Sequence, residues 1–242
     1  MHVFPENVEA KQVNPGLIER TLLPRDASAS KMVEVKHLTL SPRGEANVPV
    51  DTSLEYAYYV ISGRGLMQGG SREATRGRIL YTDTAVWAPH GGFVLSNSGE
   101  DDMRVLLIST KVNGEHYKFA RIRMKNIHQA EVWSLAGYVA RPFFKEEDLV
   151  VAGTLRVHGM DVETLAPGYE AAPHIDPEEV LYVIRGEGEI LSEGVRKPVT
   201  PGTLCYHEAG TPHGIWNTSR VDEMQYMVIE FQDASERFAP LT

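Results

Sequence analysis

The 242-residue sequence predicts an all-β protein of two tandem barrels joined by a short helical connector. Three observations lead there. Apolar runs have strand length, Gly and Pro punctuate nearly every gap between them, and the pattern occurs twice along the chain.

Taken in order, the first 30 residues contain Pro5, Pro15 and Pro24. They are expected to run as an extended arm that packs on the other barrel or on a second subunit. Met32–Leu40, Tyr56–Ile61, Ala85–Ala88 and Met103–Ile108 read as strands of a first barrel. In Glu115–Gln129, Phe119, Ile122 and Met124 fall on loosely helical spacing, which makes this segment the connector helix. Met160–Leu165, Val180–Ile184 and Met224–Phe231 are the matching strands of a second barrel.

The repeat sets the domain count. Tyr58-Tyr59-Val60-Ile61-Ser62-Gly63-Arg64-Gly65 aligns with Leu181-Tyr182-Val183-Ile184-Arg185-Gly186-Glu187-Gly188 at an offset of 123. Asp83–Asn97 aligns with Thr203–Asn217 at an offset of 120. The expected division is a first barrel with its arm over 1–112, a connector over 113–149 and a second barrel over 150–242.

A net charge of −9 and a pI near 5.5 give no global attraction to nucleic acid or to an anionic membrane. The single cysteine, Cys205, excludes an intrachain disulfide and suits a reducing compartment. The first ten residues, MHVFPENVEA, have neither a basic nor an apolar leader region, and no apolar run approaches a membrane span, so a cytoplasmic location is expected. Open strand edges and the proline-rich arm favour self-association, with a homodimer the expected form.

Two stretches carry chemistry. One is Gly168 through His174 and Glu179 to Tyr182-Val183-Ile184-Arg185-Gly186; the other is Gly202–Asn217, with Gly210-Thr211-Pro212-His213 at its centre. Together they resemble the two signature motifs of the cupin superfamily, whose fold is a jelly-roll-like β-barrel. The resemblance implies a bicupin. It also implies that His174, Glu179 and His213 stand where the family's first histidine, glutamate and last histidine bind a metal. Asp176 stands where the family has its second histidine, and the segment from His174 to Glu179 is shorter than usual.

The residues make chemical sense on their own terms. Positions 174 and 176 share one face of a strand. Two imidazoles with a carboxylate suit one divalent transition metal per chain, Mn, Fe, Ni, Co or Zn, with open positions for substrate. Asp176 would be a fourth ligand or would orient His174. Glu178 competes with Glu179, and the interval to Gly186 favours Glu179. His207, with an ordinary pKa near neutrality, is the candidate proton-transfer group together with Asp176. Arg185, Tyr182, Tyr206, Trp216 and Tyr226 are expected around the substrate pocket. The competing reading is a metal-free pocket in which His174 and Glu179 form a structural couple.

In the first copy, Val50, Tyr56 and Phe93 stand opposite His174, Glu179 and His213, so that barrel is expected to hold no metal. A silent first copy with the site in the second resembles the plan of ureidoglycine aminohydrolases, whose ligand pattern differs. The function expected is therefore a metal-dependent enzyme acting on a small polar metabolite, a carboxylate or carbonyl compound, by metal polarisation with proton transfer or O2 activation. The alternative is a non-catalytic bicupin that binds a small ligand or sugar, with a structural metal or none.

Overall fold

The structure is a computed structural model describing residues 2–69, 77–112, 121–145, 149, 154, 156–192 and 194–232. Its strands form two seven-stranded and two four-stranded sheets. The first large sheet runs in the spatial order β12 (Arg123–Asn126), β9 (Thr84–Pro89), β6 (Leu54–Ser62), β11 (Met103–Lys111), β4 (Val33–Leu40), β3 (Leu17–Leu23) and β2 (Lys11–Asn14). The second runs β1 (His2–Val3), β20 (Leu204–His207), β17 (Glu178–Arg185), β22 (Met224–Phe231), β15 (Val157–Leu165), β14 (Tyr138–Phe144) and β13 (Trp133–Leu135). Each faces a small sheet: β5 (Glu45–Val48), β10 (Phe93–Asn97), β7 (Arg64–Gly69) and β8 (Arg78–Tyr81) in the first copy, β16 (Glu170–His174), β21 (His213–Asn217), β18 (Gly188–Ser192) and β19 (Val195–Val199) in the second.

The two large sheets have the same order, and each borrows its edge strand from the other half. His2 and Val3 pair with Cys205 and Leu204 of the second barrel, while Arg123–Asn126 pairs with Thr84–Trp87 of the first. The N-terminal arm therefore reaches across to the other barrel, where Tyr206 Oη also accepts a hydrogen bond from the Ala29 N–H at 2.8 Å. The expected connector helix is corrected. Its residues 115–120 lie outside the described residues, Arg123–Asn126 is a strand, and Ile127–Gln129 is a single 3-10 turn capped by Asn126. Pairing with the free edge of β9 supplies the backbone partners that a helix would otherwise have supplied itself.

Three apolar clusters hold the molecule together. One fills the first barrel, a second fills the base of the second barrel, and the largest lies between the outer faces of the two big sheets, where Tyr59, Trp87 and Phe143 meet Val180, Tyr182 and Tyr206. Strands such as β17 are thus buried on both faces, which explains their unbroken apolar runs. The glycines of the repeat are places of close approach. A Cβ on Gly188 would lie 2.0 Å from the Trp216 carbonyl oxygen, and one on Gly65 2.5 Å from that of Ser96. The asparagine ending each aligned stretch is a clamp: buried Asn217 donates to Leu165 O, Ala166 O and Asp222 O, and Asn97 donates to Leu40 O and Asp101 O.

The first barrel is plugged by aromatic rings. Phe93 meets Tyr58 edge-on at 5.0 Å and Tyr56 at 5.9 Å, filling the space that a polar site would need. The counterpart of His174 is corrected here. Strand register places Val48, which pairs with Phe93, where His174 pairs with His213, and Val50 is 68% exposed beyond the strand end. Truncating the plug, Phe93→Ala, is expected to cost about 3–5 kcal/mol in denaturant unfolding while leaving any metal content unchanged.

Candidate metal centre

The site lies at one end of the second barrel and is assembled by four local devices. The Gly210-Thr211-Pro212 turn starts β21, so His213 is its first residue, and its Nδ1 is held 2.8 Å from Thr211 O. A bulge in edge strand β16, centred on Pro173, shifts the register so that His174 faces His213. His174 Nδ1 lies 2.8 Å from Ala172 O. Both rings are thereby fixed with Nε2 directed at the site. Glu179, second residue of β17, is buried and pairs with His207 across the strand. Asp176 follows His174 on the connecting loop.

The ligand-type atoms converge. His174 Nε2 is 2.9 Å from Asp176 Oδ2, His213 Nε2 is 2.9 Å from Glu179 Oε1 and 3.5 Å from Asp176 Oδ2. Metal–ligand bonds of about 2.0–2.2 Å place adjacent donors about 3 Å apart, so these separations fit one ion. His213 Nε2 is buried yet has no aligned hydrogen bond. The imidazole planes of His174 and His213 cross at 64°, with centroids 4.6 Å apart, so both in-plane lone pairs can meet at one point. A second grouping, Glu179 with His207 and His213, fails that test. Its rings are stacked 4.2 Å apart at 9°, and near-parallel planes share no ion. The fitting set is His174, Asp176 and His213, with Glu179 Oε1 beside it, 2.9 Å from His213 Nε2.

His207 has a different place from the expected one. It does not line the cavity; its Nδ1 is 2.7 Å from Glu179 Oε1 and its ring backs His213. It positions Glu179 rather than meeting a substrate. Asp176 does line the cavity, in contact with both metal-facing imidazoles.

The cavity itself is about 40 Å³, lined by the four candidate ligands together with Glu163, Glu230, Tyr226 and apolar side chains. Of the five residues expected around the pocket, only Tyr226 is brought there. Tyr182 and Tyr206 point out of the barrel into the inter-barrel cluster. Trp216 faces the opposite side of β21 from its neighbour Ile215, a cavity-lining residue, and Arg196 stacks 3.9 Å above its ring. Arg185 is 58% exposed and paired with Glu223 at 3.2 Å. Glu178 also points outward, to Arg156, Tyr206 and Ser30. Sequence reasoning missed Glu163 and Glu230, although both share parity with inward residues: Glu163 with Leu165 on β15, Glu230 with Val228 on β22.

Electrostatics follow from this packing. The hydrogen bond with Asp176 raises His174 to about 9. Burial works to lower His213, but Asp176 and Glu179 beside it prevail and lift it to about 10. Burial pushes Glu179 up, and the imidazoles of His207 and His213 outweigh it, leaving the carboxyl lowered. Glu230 is raised to about 7 by burial, then by Asp176, Glu179 and Glu163.

Comparison with known proteins places the architecture. A Cupin domain family model matches residues 161–230. A search of curated proteins finds no match. Among solved structures, protein Ylba from E. coli superposes with a TM-score of 0.75 at 15% identity, covering 96% of this chain and 90% of that one. An oxalate decarboxylase from Bacillus subtilis, a protein with Mn(II) centres, gives 0.75 at 14% identity over 96% of this chain and 77% of that one. A protein described as glyoxylate-induced, from Pseudomonas aeruginosa, gives 0.75 at 13% over 96% and 86%. The chain has the bicupin fold. The segment matched by the family model, 161–230, contains every candidate ligand. Among the described residues no helix is long and apolar enough to cross a membrane.

The pKa directions give a signed prediction. In the metal-free chain His174 and His213 are protonated at neutral pH, and their raised values stabilise the fold below about pH 6.5. That contribution fades as pH rises through about 9 and about 10. Metal binding runs the other way, because the ligand protons must leave. Calorimetric titration of Mn(II) at pH 7.5 in buffers of different ionisation enthalpy should register about two protons released per ion, with affinity rising towards pH 9. Binding without proton release would contradict the assignment.

Proposed function

We propose that the second barrel is the active site of a metal-dependent enzyme that acts on a small polar metabolite. The observation that carries this reading is the convergence of ligand atoms from His174, Asp176 and His213 on one small cavity, with Glu179 2.9 Å from His213 Nε2 and the two imidazole planes crossing there. Similarity to a decarboxylase with Mn(II) centres makes Mn(II) the first ion to test.

A divalent ion held by these residues supplies a Lewis acid for a carbonyl oxygen, a water molecule or O2. The chain's own groups do the rest. The backbone-anchored imidazoles fix the position of the site, and Asp176 and Glu179 balance the charge of a divalent cation. His207 keeps the Glu179 carboxylate oriented. Glu230, on the cavity wall and raised to about 7, is placed to take or return a proton near neutral pH. Leu181, Ile190, Ile215 and Val228 make the deeper wall apolar and exclude bulk water.

One observation favours the non-catalytic alternative: each lining imidazole already faces a carboxylate, so the cluster is charge-paired without an ion. Metal analysis separates the two. After loading with Mn(II) and exhaustive dialysis, the full chain should retain about one ion, and His213→Ala should retain at least tenfold less while keeping its circular dichroism spectrum. A folded wild-type protein without bound metal would leave the binding-module reading standing.

A further inference from the structure

The charge of the cavity wall narrows the substrate class of this same site, an inference that rests on the second barrel being a ligand site. Four carboxylates line the cavity, Glu163, Asp176, Glu179 and Glu230, and no lysine or arginine is among its described lining residues. Arg185, the cation that would have received an anionic substrate, is at the surface with Glu223. A divalent ion held by Asp176 and Glu179 offsets those two charges, and the ligating imidazoles add none. Glu163 and Glu230 then have no cationic side chain beside them among the described lining residues.

Glu163 is built to stay in place. Its two oxygens accept hydrogen bonds from Tyr138 Oη, at 2.6 Å, and from Tyr226 Oη. Hydroxyl donors fix the carboxylate without neutralising it. Glu230 sits nearer the candidate ligands, as the cross-strand partner of Glu179, with His158 Nε2 3.9 Å from its carboxylate and outside the lining. Independently of these acids, buried His213 Nε2 opens on the same space without an aligned hydrogen bond, which marks the cavity as a ligand site. The cavity is small, about 40 Å³, so it takes the head of a substrate. The remainder lies at the mouth, where the His174 side chain is 48% exposed.

We infer that the site takes a substrate whose leading group is a cationic nitrogen, a primary ammonium or an amidinium, seated against Glu230 and Glu163, and that it rejects carboxylates. Rejection follows from the same wall: an anion would enter beside the Glu163 and Glu230 carboxyl groups with no lysine or arginine among the described lining residues to meet it.

The test uses three probes of equal size and different charge, propylammonium, propionamide and propionate, titrated calorimetrically into the Mn(II)-loaded full chain at pH 7. Propylammonium should bind at least about tenfold more tightly than propionate, with propionamide between them. Glu230→Gln should reduce that preference to about threefold or less with Mn(II) content unchanged, and Glu163→Gln, which keeps an acceptor for the two tyrosines, provides the same readout if the first variant does not fold. Propionate binding as tightly as propylammonium, or a preference untouched by both variants, would overturn the inference. Metal content after loading separates the two proposals. A chain that fails to retain Mn(II) on loading yet prefers propylammonium contradicts the metal reading alone, and a loaded chain that prefers propionate contradicts this one alone.

Discussion

Glu179 is buried inside a β-barrel with the stacked imidazoles of His207 and His213 both at its Oε1, and the geometry of the second half of the molecule answers to that charge. A carboxylate so far from water is tolerated only beside positive charge or strong donors. Two imidazoles provide this, and their stacking fixes the plane of His213 so that its Nε2 meets the plane of His174. The edge-strand bulge, the turn before β21 and the backbone bonds of both ligand histidines all serve the same convergence. With Asp176, Glu163 and Glu230, four carboxyl groups and the imidazoles of His174 and His213 meet at this end of the barrel.

The first barrel shows the same frame without that constraint. Tyr56 stands at the register position of Glu179 and Phe93 at that of His213, and their rings pack edge-on where the other copy keeps a cavity. Paired positions facing the other way have stayed polar in both copies. Glu55 accepts hydrogen bonds from Thr154 Oγ1 and from the Arg156 and Val157 N–H groups, and Glu178 holds Ser30, Tyr206 and Arg156. Each thereby anchors the segment that leads into the other barrel. Together with the exchanged edge strands and the shared apolar cluster, these bonds make the silent barrel a rigid base for the other.

The strands and the repeat were legible in the sequence because turn residues and apolar runs are local signals. His174, Glu179 and His213 were legible because two motifs carry them at set distances. What was not legible depends on tertiary pairing. Arg123–Asn126 becomes a strand only because β9 offers an edge. Tyr182 and Tyr206 lie on strands buried on both faces, where alternation no longer tells inside from outside. Val50 was matched to His174 in place of Val48 because the interval to the next strand differs between the copies, eight positions from Val48 to Tyr56 against five from His174 to Glu179, and a bulge in β16 hides the register. His207, expected in the cavity, lies one layer behind it, against His213 and Glu179. Glu163 and Glu230 lay outside the motifs, and only their parity with Leu165 and Val228 could have disclosed them.

The central claim is that two imidazoles in crossing planes and the carboxylates beside them hold one ion in the second barrel. X-ray absorption spectroscopy on the Mn(II)-loaded chain tests it most directly. The account predicts a first shell of nitrogen and oxygen at about 2.0–2.2 Å with the outer-shell scattering of two imidazoles, reduced to one in His174→Ala. A shell of oxygens with no imidazole contribution, or one that His174→Ala leaves unchanged, would contradict it.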